Sequence, residues 1–517
     1  MIIQSNGKYY VVDDTPSVSK FRLLGITVLV DKDKLVDIDL SCDNDSNLDE
    51  SLCQFSLLIG VNGVGKSTIL RSLIDFFIDF KAYNDAHLIY REKLYRRCGK
   101  KYLQVVEVKY TANDYTYRIW KNDNERRYYV NDSDSISADI PLPNIVASCF
   151  GIFDKFPIKN PFSSSVMTSK YNVQMYNYVG AKTANNIFST VSSIFQMLYY
   201  LLGLEKLTTI LKVRDLLKYM GYDDRLAFIC KLRQYGSINS FEDFLSLIQR
   251  NSKTNTRRQW YFEKFLKLNR LKQQSLYNSY KSFVAMSIGS RKECRYDFEF
   301  NENNVQTSKD DIRNLYQLRQ LGLVMSIDCF LFKNGQKINC NDISSGELNL
   351  FCTVVGALSA SEKENALILI DEPELSQHPN WQMSIIDFLN EGLSKSACHM
   401  VIATHSHFLV SDLPKRKSSV TYLSRKNGFH AEKIMEDTYG WSAEEVLLKV
   451  FKVPTTRNIY LSKIVGDLLD RIAKGDIERQ DVLDDILFLE EVYKNMNEVD
   501  PMKKIIETII KTYRHEN

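Results

Sequence analysis

The sequence predicts an α/β protein with an antiparallel group of strands, a helical insertion and a helical C-terminal tail. Three observations predict this fold class. Leu57-Leu58-Ile59 is a short apolar strand that leads through a glycine-rich loop into a helix. The run from Ala366 to Ile370 is continuously aliphatic, as in a strand buried on both faces of a parallel sheet. Residues 21–30 and 35–40 have the composition and alternation of further strands.

The glycine-rich loop from Gly60 to Ser67 reads Gly-Val-Asn-Gly-Val-Gly-Lys-Ser and fits the phosphate loop G-x-x-x-x-G-K-[ST]. Glycines leave room for backbone N–H groups to point at phosphate oxygens, and the following helix N-terminus adds a partial positive charge. Lys66 is expected to reach the phosphates and Ser67 to bind Mg²⁺. A plain glycine turn is the alternative, and the strand–loop–helix context argues against it. The predicted nucleotide contacts are Asn62, Gly63, Val64, Gly65, Lys66, Ser67 and Thr68.

Two other strand ends carry groups suited to hydrolysis. Asp371 and Glu372 follow the aliphatic run; the aspartate can bind Mg²⁺ through water, and the glutamate can polarise an attacking water. A second apolar strand, 400–403, ends in Thr404-His405-Ser406. A lone histidine at a strand end is more often structural, so a functional role for His405 depends on the presence of the other motifs. Because the phosphate-loop serine and the aspartate at the strand end can both bind Mg²⁺, we predict Ser67 and Asp371 as metal ligands.

Taken in order, these motifs and the segment Ile343-Ser344-Ser345-Gly346-Glu347 resemble the ABC-type ATPases. The resemblance implies an ABC-type ATPase head, which has a mixed sheet with flanking helices and an antiparallel β lobe. It also implies that the head uses ATP and Mg²⁺ and pairs head to tail as a homodimer or higher homo-oligomer. It implies catalytic roles for Glu372, as general base, and for His405, the switch histidine, as a contact of the γ-phosphate. The signature residues that would cap the nucleotide of the other head are Ser344, Ser345, Gly346 and Glu347.

The resemblance also implies a Q-loop glutamine between the first lobe and the helical insertion. The segment in which it is expected runs from the strand-like residues 144–148 into 150–154, and it contains no Gln. One contact to Mg²⁺ therefore stays unassigned in the sequence.

Length and composition indicate a large enzyme. The 517 residues include 67 Lys and Arg against 64 Asp and Glu, so the net charge is only +3, and any nucleic-acid contact must be local. No run approaches 18 consecutive apolar residues and the N-terminus lacks a signal-peptide pattern, so we expect no membrane association. The ten cysteines form no Cys-x-x-Cys pair, which fits free thiols in a cytoplasmic protein.

The chain divides into four predicted segments. Residues 1–154 form lobe I with the phosphate loop, 155–294 a mainly helical insertion, 295–435 lobe II with the signature and the Asp-Glu pair, and 436–517 a helical tail. The insertion lacks sustained heptads, which argues against long coiled-coil arms. One tail helix has a broad apolar face, for which packing within the chain and docking of a partner protein are the alternatives. Its residues are Val482, Leu483, Ile486, Leu487, Leu489, Val492, Tyr493 and Met496.

The Asp-Glu-Pro-Glu run with the following His-Pro, the Ala-Thr-His-Ser end and Thr438-Tyr-Gly-Trp-Ser442 sharpen the resemblance. Together they resemble bacterial anti-phage ATPases: the heads of the OLD family and, more closely, the ATPase component of Septu-type and retron-associated systems. In OLD nucleases a Toprim domain follows the head, whereas the 112 residues after His405 contain no Asp-x-Asp pair. The resemblance therefore implies no nuclease domain here and a separate HNH-type nuclease as the partner.

Three functions remain open at this point. The first is a defence ATPase that controls a nuclease. The second is a DNA repair or recombination ATPase that acts on DNA directly. Whether DNA or retron nucleic acid is a partner stays open. The third is a protein that binds ATP and scarcely hydrolyses it, against which Glu372 stands. The second rests on two basic clusters, for which solvated surfaces are the alternative. These are Arg91, Lys93, Arg96, Arg97, Lys100 and Lys101, and Arg257, Arg258, Lys264, Lys267, Arg270 and Lys272 with Trp260 and Tyr261 between them.

Overall fold

The fold was determined as a computed structural model of the 517-residue chain. The residues that the structure describes are 2–5, 8–11, 21–31, 34–42, 53–84, 103–113, 115–121, 126–134, 140–151, 153–159, 173–184, 187–188, 190–204, 206–233, 238–253, 255–287, 293–300, 309–363, 365–393, 396–425, 428–455, 458–474, 480–498 and 500–516.

Strands and helices alternate in the manner of an α/β protein. The strands are β1 (Ile2–Ser5), β2 (Lys8–Val11), β3 (Arg22–Val30), β4 (Lys34–Asp39), β5 (Cys53–Gly60), β6 (Leu103–Ala112), β7 (Tyr115–Lys121), β8 (Arg126–Val130), β9 (Ser133–Asp134), β10 (Asn144–Cys149), β11 (Tyr176–Gly180), β12 (Lys182–Ala184), β13 (Ile187–Phe188), β14 (Arg225–Leu232), β15 (Glu293–Glu299), β16 (Val324–Lys333), β17 (Gln336–Asn339), β18 (Ala366–Asp371), β19 (Cys398–Thr404), β20 (Ser418–Ser424) and β21 (His430–Ile434). The helices are α1 (Lys66–Asn84), α2 (Thr190–Leu201), α3 (Leu207–Tyr219), α4 (Phe241–Ser252), α5 (Thr256–Leu266), α6 (Arg270–Met286), α7 (Lys309–Gln320), α8 (Ser345–Ser361), α9 (Pro379–Leu393), α10 (His407–Ser411), α11 (Ala443–Glu445), α12 (Ile459–Ala473), α13 (Gln480–Asn495) and α14 (Pro501–Glu516), with a π-helical turn at Val446–Val450.

A seven-stranded mixed sheet forms the centre of the molecule, in the order β11-β10-β18-β19-β5-β20-β21. All neighbours in it are parallel except β21, which runs antiparallel to β20. Every residue of β5, β18 and β19 is buried, because helices or the second sheet cover both faces of these strands. The predicted α/β fold with a mixed sheet is confirmed.

The register of the central strands brings their carboxyl ends to one edge. Ile59 of β5 lies opposite Thr404 of β19, Ala403 lies opposite Asp371 of β18, and Asp371 lies opposite Cys149 of β10. The phosphate loop, the Asp-Glu pair and the switch histidine therefore begin side by side, although they are far apart in the sequence.

The two faces of this sheet belong to two cores. Leu58, Leu367 and Leu369 pack in a core with α1 and the antiparallel lobe. Leu57 and Ile368 point to the other face, into a larger core that includes α8, α9 and the insertion. The alternation of side chains along each strand explains this division.

The predicted antiparallel lobe is a six-stranded sheet in the order β4-β3-β6-β7-β8-β9. β3 and β4 lie where the alternating patterns of residues 21–30 and 35–40 predict strands, and β6 and β7 are the other two long strands of this sheet. The sheet packs on α1 through aromatic contacts such as that between Phe77 and Tyr110, so the lobe supports the first helix after the phosphate loop.

The insertion is less uniformly helical than the sequence predicts. It contains α2 to α6, but β11 belongs to the central sheet, and β14 lies at the centre of a separate four-stranded sheet, β15-β14-β16-β17. The predicted boundary at residue 294 falls inside β15, because this sheet pairs strands from both sides of it. A short apolar run such as that of β14 fits a buried helix or a strand equally well, which explains the missed strand.

The tail forms a small core of its own from α12, α13 and α14. On α13 the predicted apolar face divides, because Leu483 and Leu487 stay exposed. The buried part of the face consists of Val482, Ile486, Leu489, Val492 and Met496. No helix within the described ranges has the length and hydropathy to cross a membrane.

Candidate nucleotide-binding and catalytic site

The phosphate loop connects β5 to α1, and its glycines are required by space as well as by conformation. Gly60 and Gly65 have φ angles of 150° and 118°. A Cβ on Gly60 would lie 2.3 Å from the carbonyl oxygen of Leu423, and one on Gly65 would lie 2.1 Å from Cδ1 of Leu103. At Gly60 the clash is with backbone, so a larger residue would displace the loop. At Gly65 the clash is with the end of the Leu103 side chain, and the φ angle is what favours glycine there.

The other predicted loop contacts differ in what they offer a ligand. Asn62 is exposed and Gly63 has open space around it, so both are accessible. The Val64 side chain is buried and its N–H donates to the Val61 carbonyl at 3.3 Å, so Val64 serves the loop itself. The hydroxyl of Thr68 accepts a hydrogen bond from Nζ of Lys155 at 2.9 Å.

Lys66 begins α1 and is only 4% exposed. Its Nζ donates to the carbonyl of Gly60 at 2.9 Å and lies 2.6 Å from Nε2 of His405. Burial lowers the pKa of Lys66 to about 8, and the nearby carboxylates, Glu372 first, oppose this shift. Burial, followed by the charge of Lys66, lowers the pKa of His405 to about 4, so the imidazole is neutral at pH 7 and accepts from the ammonium.

Asp371 and Ser67 lie together where a metal ion is expected. Asp371 is buried at the end of β18, and burial raises its pKa to about 7 against the hydrogen bond that Ser67 donates. One carboxylate oxygen, Oδ1, is buried without a hydrogen-bond partner. An unpaired carboxylate oxygen beside a hydroxyl suits a hard cation, so these residues fit Mg²⁺. In the described part of the chain no group of three or more His, Cys, Asp or Glu could hold a metal, so phosphates and water would supply the other ligands.

Glu372 is held in a strained position that presents its side chain to solvent. Its φ is 50°, in the left-handed region that non-glycine residues rarely adopt. Its N–H donates to the Ala403 carbonyl at 2.8 Å, which fixes the turn after β18. Its carboxylate is 33% exposed and Oε1 lies 3.7 Å from Nε2 of His405. Water can therefore reach a carboxylate that is close to the switch histidine.

Glu374 also lies at the site, although the sequence motifs did not single it out. Its Oε1 accepts the backbone N–H of His405 at 2.7 Å, and its side chain also bonds Thr404. Burial raises the pKa of Glu374 above its usual value. Its signal in the sequence is the second glutamate of the Asp-Glu-Pro-Glu run. We assign it the role of positioning His405.

The signature residues contact their own chain. Ser344 caps α8 and forms a reciprocal capping box with Glu347, with N–H to oxygen distances of 3.2 and 2.9 Å. Tyr222 donates to the same glutamate at 2.9 Å. Gly346 is buried against the loop after β18, where a Cβ would lie 2.2 Å from the Ser376 carbonyl oxygen. Ser345 is exposed. Among the described residues, these contacts lead to the insertion and to this loop, and none leads to the phosphate loop.

The fold and the site define a nucleotide-binding α/β protein of the phosphate-loop class. The family described as AAA ATPase domain matches residues 37–410, more than half of the chain. The protein therefore belongs to this family and carries an ATPase domain. None of the curated proteins matches the chain.

Solved structures of Smc heads are similar to the chain at low identity. The Smc head bound to the C-winged helix domain of ScpA has a TM-score of 0.31 and 11% identity, over 80% of this chain and 97% of that one. The Pyrococcus furiosus Smc head with an extended coiled coil, bound to the C-terminal domain of ScpA, has a TM-score of 0.31 and 13% identity. The match covers 80% of this chain and 96% of that one. The Thermotoga maritima SMC head has a TM-score of 0.29 and 10% identity, and the match covers 80% of this chain and 100% of that one.

Proposed function

We propose that this protein hydrolyses ATP between two paired heads and uses this cycle to control a separate nuclease in bacterial anti-phage defence. One observation carries the ATPase part: residues up to 339 positions apart converge at one edge of the central sheet. They are Lys66, Ser67, Asp371, Glu372 and His405.

Each side chain has a distinct task in this proposal. Lys66 binds the β- and γ-phosphates, and the Glu372 carboxylate orients the attacking water and takes up its proton. His405 is neutral at pH 7 and can give one N–H to the γ-phosphate. Ser67 and Asp371 would hold Mg²⁺, which would supply positive charge beside the phosphates.

The signature supports pairing of two heads. Ser345 is exposed at the N-terminus of α8, where the helix dipole favours an anion. Its neighbours Ser344 and Glu347 hold that end in shape through the capping box. A second head whose γ-phosphate faced this helix end would complete both sites of the pair.

The test is the Glu372→Gln variant, followed by ATP turnover and by mass from light scattering. Loss of the general base should lower turnover by ~10²–10⁴-fold while ATP binding persists, so the paired form accumulates with ATP. Glu432→Gln, the same change on an exposed position of β21, is the matched control and should leave both readouts unchanged. Parental turnover in Glu372→Gln would refute the base assignment, and a monomer in saturating ATP would refute the pairing.

The tail is the proposed docking region for the nuclease. Leu487 of α13 is 52% exposed, and Leu483 lies one turn before it on the same face. An HNH nuclease encoded beside this gene should co-purify with the chain, and Leu483→Lys with Leu487→Lys should release it without loss of ATP turnover. Leu35→Lys, at an equally exposed leucine of β4, is the control. Absence of any co-purifying nuclease would count against the defence function.

A direct action on DNA is the second candidate, because charge is concentrated in the insertion. Residues 253–286 contain eight Lys or Arg and one Glu, whereas the whole chain has a net charge of only +3. On α5, Nζ of Lys264 lies 3.5 Å from the ring centre of the half-exposed Trp260. The other basic cluster, 91–101, lies outside the described residues. If the chain binds DNA phosphates, its affinity for DNA should fall steeply as the salt concentration rises. A DNA affinity that does not change with salt would refute this second function.

A further inference from the structure

The loop that follows β10 lies beside the catalytic carboxylates. Cys149, the last residue of β10, is opposite Asp371 in the parallel register, so the next residues continue along the same edge of the sheet. A Cβ on Gly151 would lie 3.9 Å from Oε2 of Glu372. The resemblance to ABC-type ATPases implies a glutamine in this segment, which contains none.

Lys155 connects this loop to α1 at two points. Its Nζ donates to Oγ1 of Thr68 at 2.9 Å, and its carbonyl accepts from Nη1 of Arg71 at 2.6 Å. Thr68 follows Ser67 in the first turn of α1, where free N–H groups and the helix dipole bind phosphate. A lysine ammonium therefore lies at the phosphate-binding end of this helix.

The buried carboxylate of Asp154 fixes the conformation of this loop. Asp154 accepts from the Tyr178 hydroxyl at 2.5 Å and from the Phe156 N–H at 2.7 Å. Its own carbonyl accepts from Nζ of Lys182 at 2.9 Å. These contacts fix the backbone on both sides of Lys155, so its position depends on the fold of the loop.

We propose that Lys155 is a second phosphate-binding cation, which contacts the α- and β-phosphates of the bound nucleotide next to Thr68. The hydroxyl of Thr68 is a neutral partner for the ammonium, whereas a phosphate oxygen is a charged and stronger one. A glutamine in this loop would offer only a neutral amide. This inference rests on the proposed function, because it takes a nucleotide as the ligand.

Nucleotide affinity measured by calorimetry tests the proposal, with ATP and with ADP, each in Mg²⁺ and in EDTA. Lys155→Ala should weaken the binding of both nucleotides by about 10- to 100-fold, the usual effect of losing a hydrogen bond to a charged group. The loss should persist in EDTA, because the cation contacts phosphate without the metal. Lys155→Arg should retain most of the affinity, and Lys155→Gln should behave like Lys155→Ala.

Two further variants separate a phosphate contact from a structural role. Lys182→Ala removes a contact that holds the loop but keeps the cation, so it should weaken binding less than Lys155→Ala. Lys218→Ala removes a lysine from the exposed face of α3 and should leave affinity unchanged. Thermal melting without nucleotide should be the same for Lys155→Ala and the parent.

Several outcomes would overturn the assignment. Unchanged affinity in Lys155→Ala, an equal loss in Lys182→Ala, or full affinity in Lys155→Gln would each exclude a charge contact at this position. A loss with ATP alone would move the contact to the γ-phosphate. If Lys66→Ala abolishes binding while Lys155→Ala has no effect, this inference fails and the proposed ATPase function stands. Absence of ATP binding by the parent protein would instead refute the proposed function.

Discussion

Nζ of Lys66 lies 2.6 Å from Nε2 of His405, so the phosphate-loop lysine and the switch histidine contact each other directly. The contact exists because β5 and β19 are adjacent, with Ile59 opposite Thr404. Both side chains are expected to bind the γ-phosphate. An arriving phosphate must therefore compete with the imidazole for the lysine ammonium.

Removal of His405 should separate binding from turnover. In His405→Ala, ADP affinity should rise by up to about 10-fold, because Lys66 no longer exchanges one partner for another. Turnover of ATP should fall, because the γ-phosphate loses a contact. Calorimetry with ADP and a steady-state assay measure the two effects. His407→Ala is the control, since that ring packs on Phe408. Unchanged turnover in His405→Ala would contradict the assigned role.

Glu374 should affect catalysis through the position of His405. Glu374→Ala should lower kcat by about 10-fold with little change in KM, because the His405 N–H loses its acceptor at 2.7 Å. Glu374→Gln retains an oxygen that can accept this bond and should recover most of kcat. Equal losses in the two variants would show that the negative charge matters and not the positioning bond.

Because the pKa of Lys66 is lowered, we expect nucleotide binding to depend on pH. Its pKa is lowered to about 8, so the ammonium loses its proton above pH 8 and the affinity for ADP should fall by up to tenfold per pH unit. Calorimetry between pH 7 and 9.5 measures this fall. Lys66→Arg stays charged over that range and should give a flat profile. The same slope in both proteins would assign the titration to another group.

His399 predicts a loss of stability in mild acid. It is fully buried, where Nδ1 accepts the Leu23 N–H at 2.8 Å and Nε2 lies 2.8 Å from Oγ of Ser56. Burial, followed by the charge of Arg22, lowers its pKa to about 3. Below pH 6.5 the unfolded chain takes up a proton that the folded chain excludes. The free energy of unfolding should therefore fall by about 1.4 kcal/mol per pH unit from this residue as pH drops from 6.5 towards 3.

Urea denaturation at pH 7.5, 6.0 and 5.0 measures the contribution of His399. His399→Gln keeps an acceptor for Leu23 and a donor for Ser56 but cannot titrate, so its stability should depend less on pH. Parallel pH profiles for the two proteins would remove His399 as the cause.

The elements predicted best from the sequence are those whose signal is local. β5 and β18 are continuous apolar runs that end in polar motifs, and parallel pairing places their ends at one edge, so Lys66 and Asp371 could be expected to meet. The roles of Lys155 and Glu374 could not be predicted in this way, although Glu374 belongs to the Asp-Glu-Pro-Glu run, because they depend on contacts with Thr68 and with the His405 backbone. These contacts are set by how distant segments pack. The Q-loop expectation was tied to one residue type, and therefore missed the lysine in the same loop.

Gly346 packs against the carbonyl of Ser376, and only three residues separate that serine from Glu372. In the proposed pair, this short segment would belong to both reaction centres: one end orients water in its own head, and the other supports the serine that faces the partner's phosphate. A shift at either centre would be transmitted to the other without a relay through the rest of the fold. The two heads should then respond cooperatively, and the rate of hydrolysis should rise with ATP concentration more steeply than for independent sites.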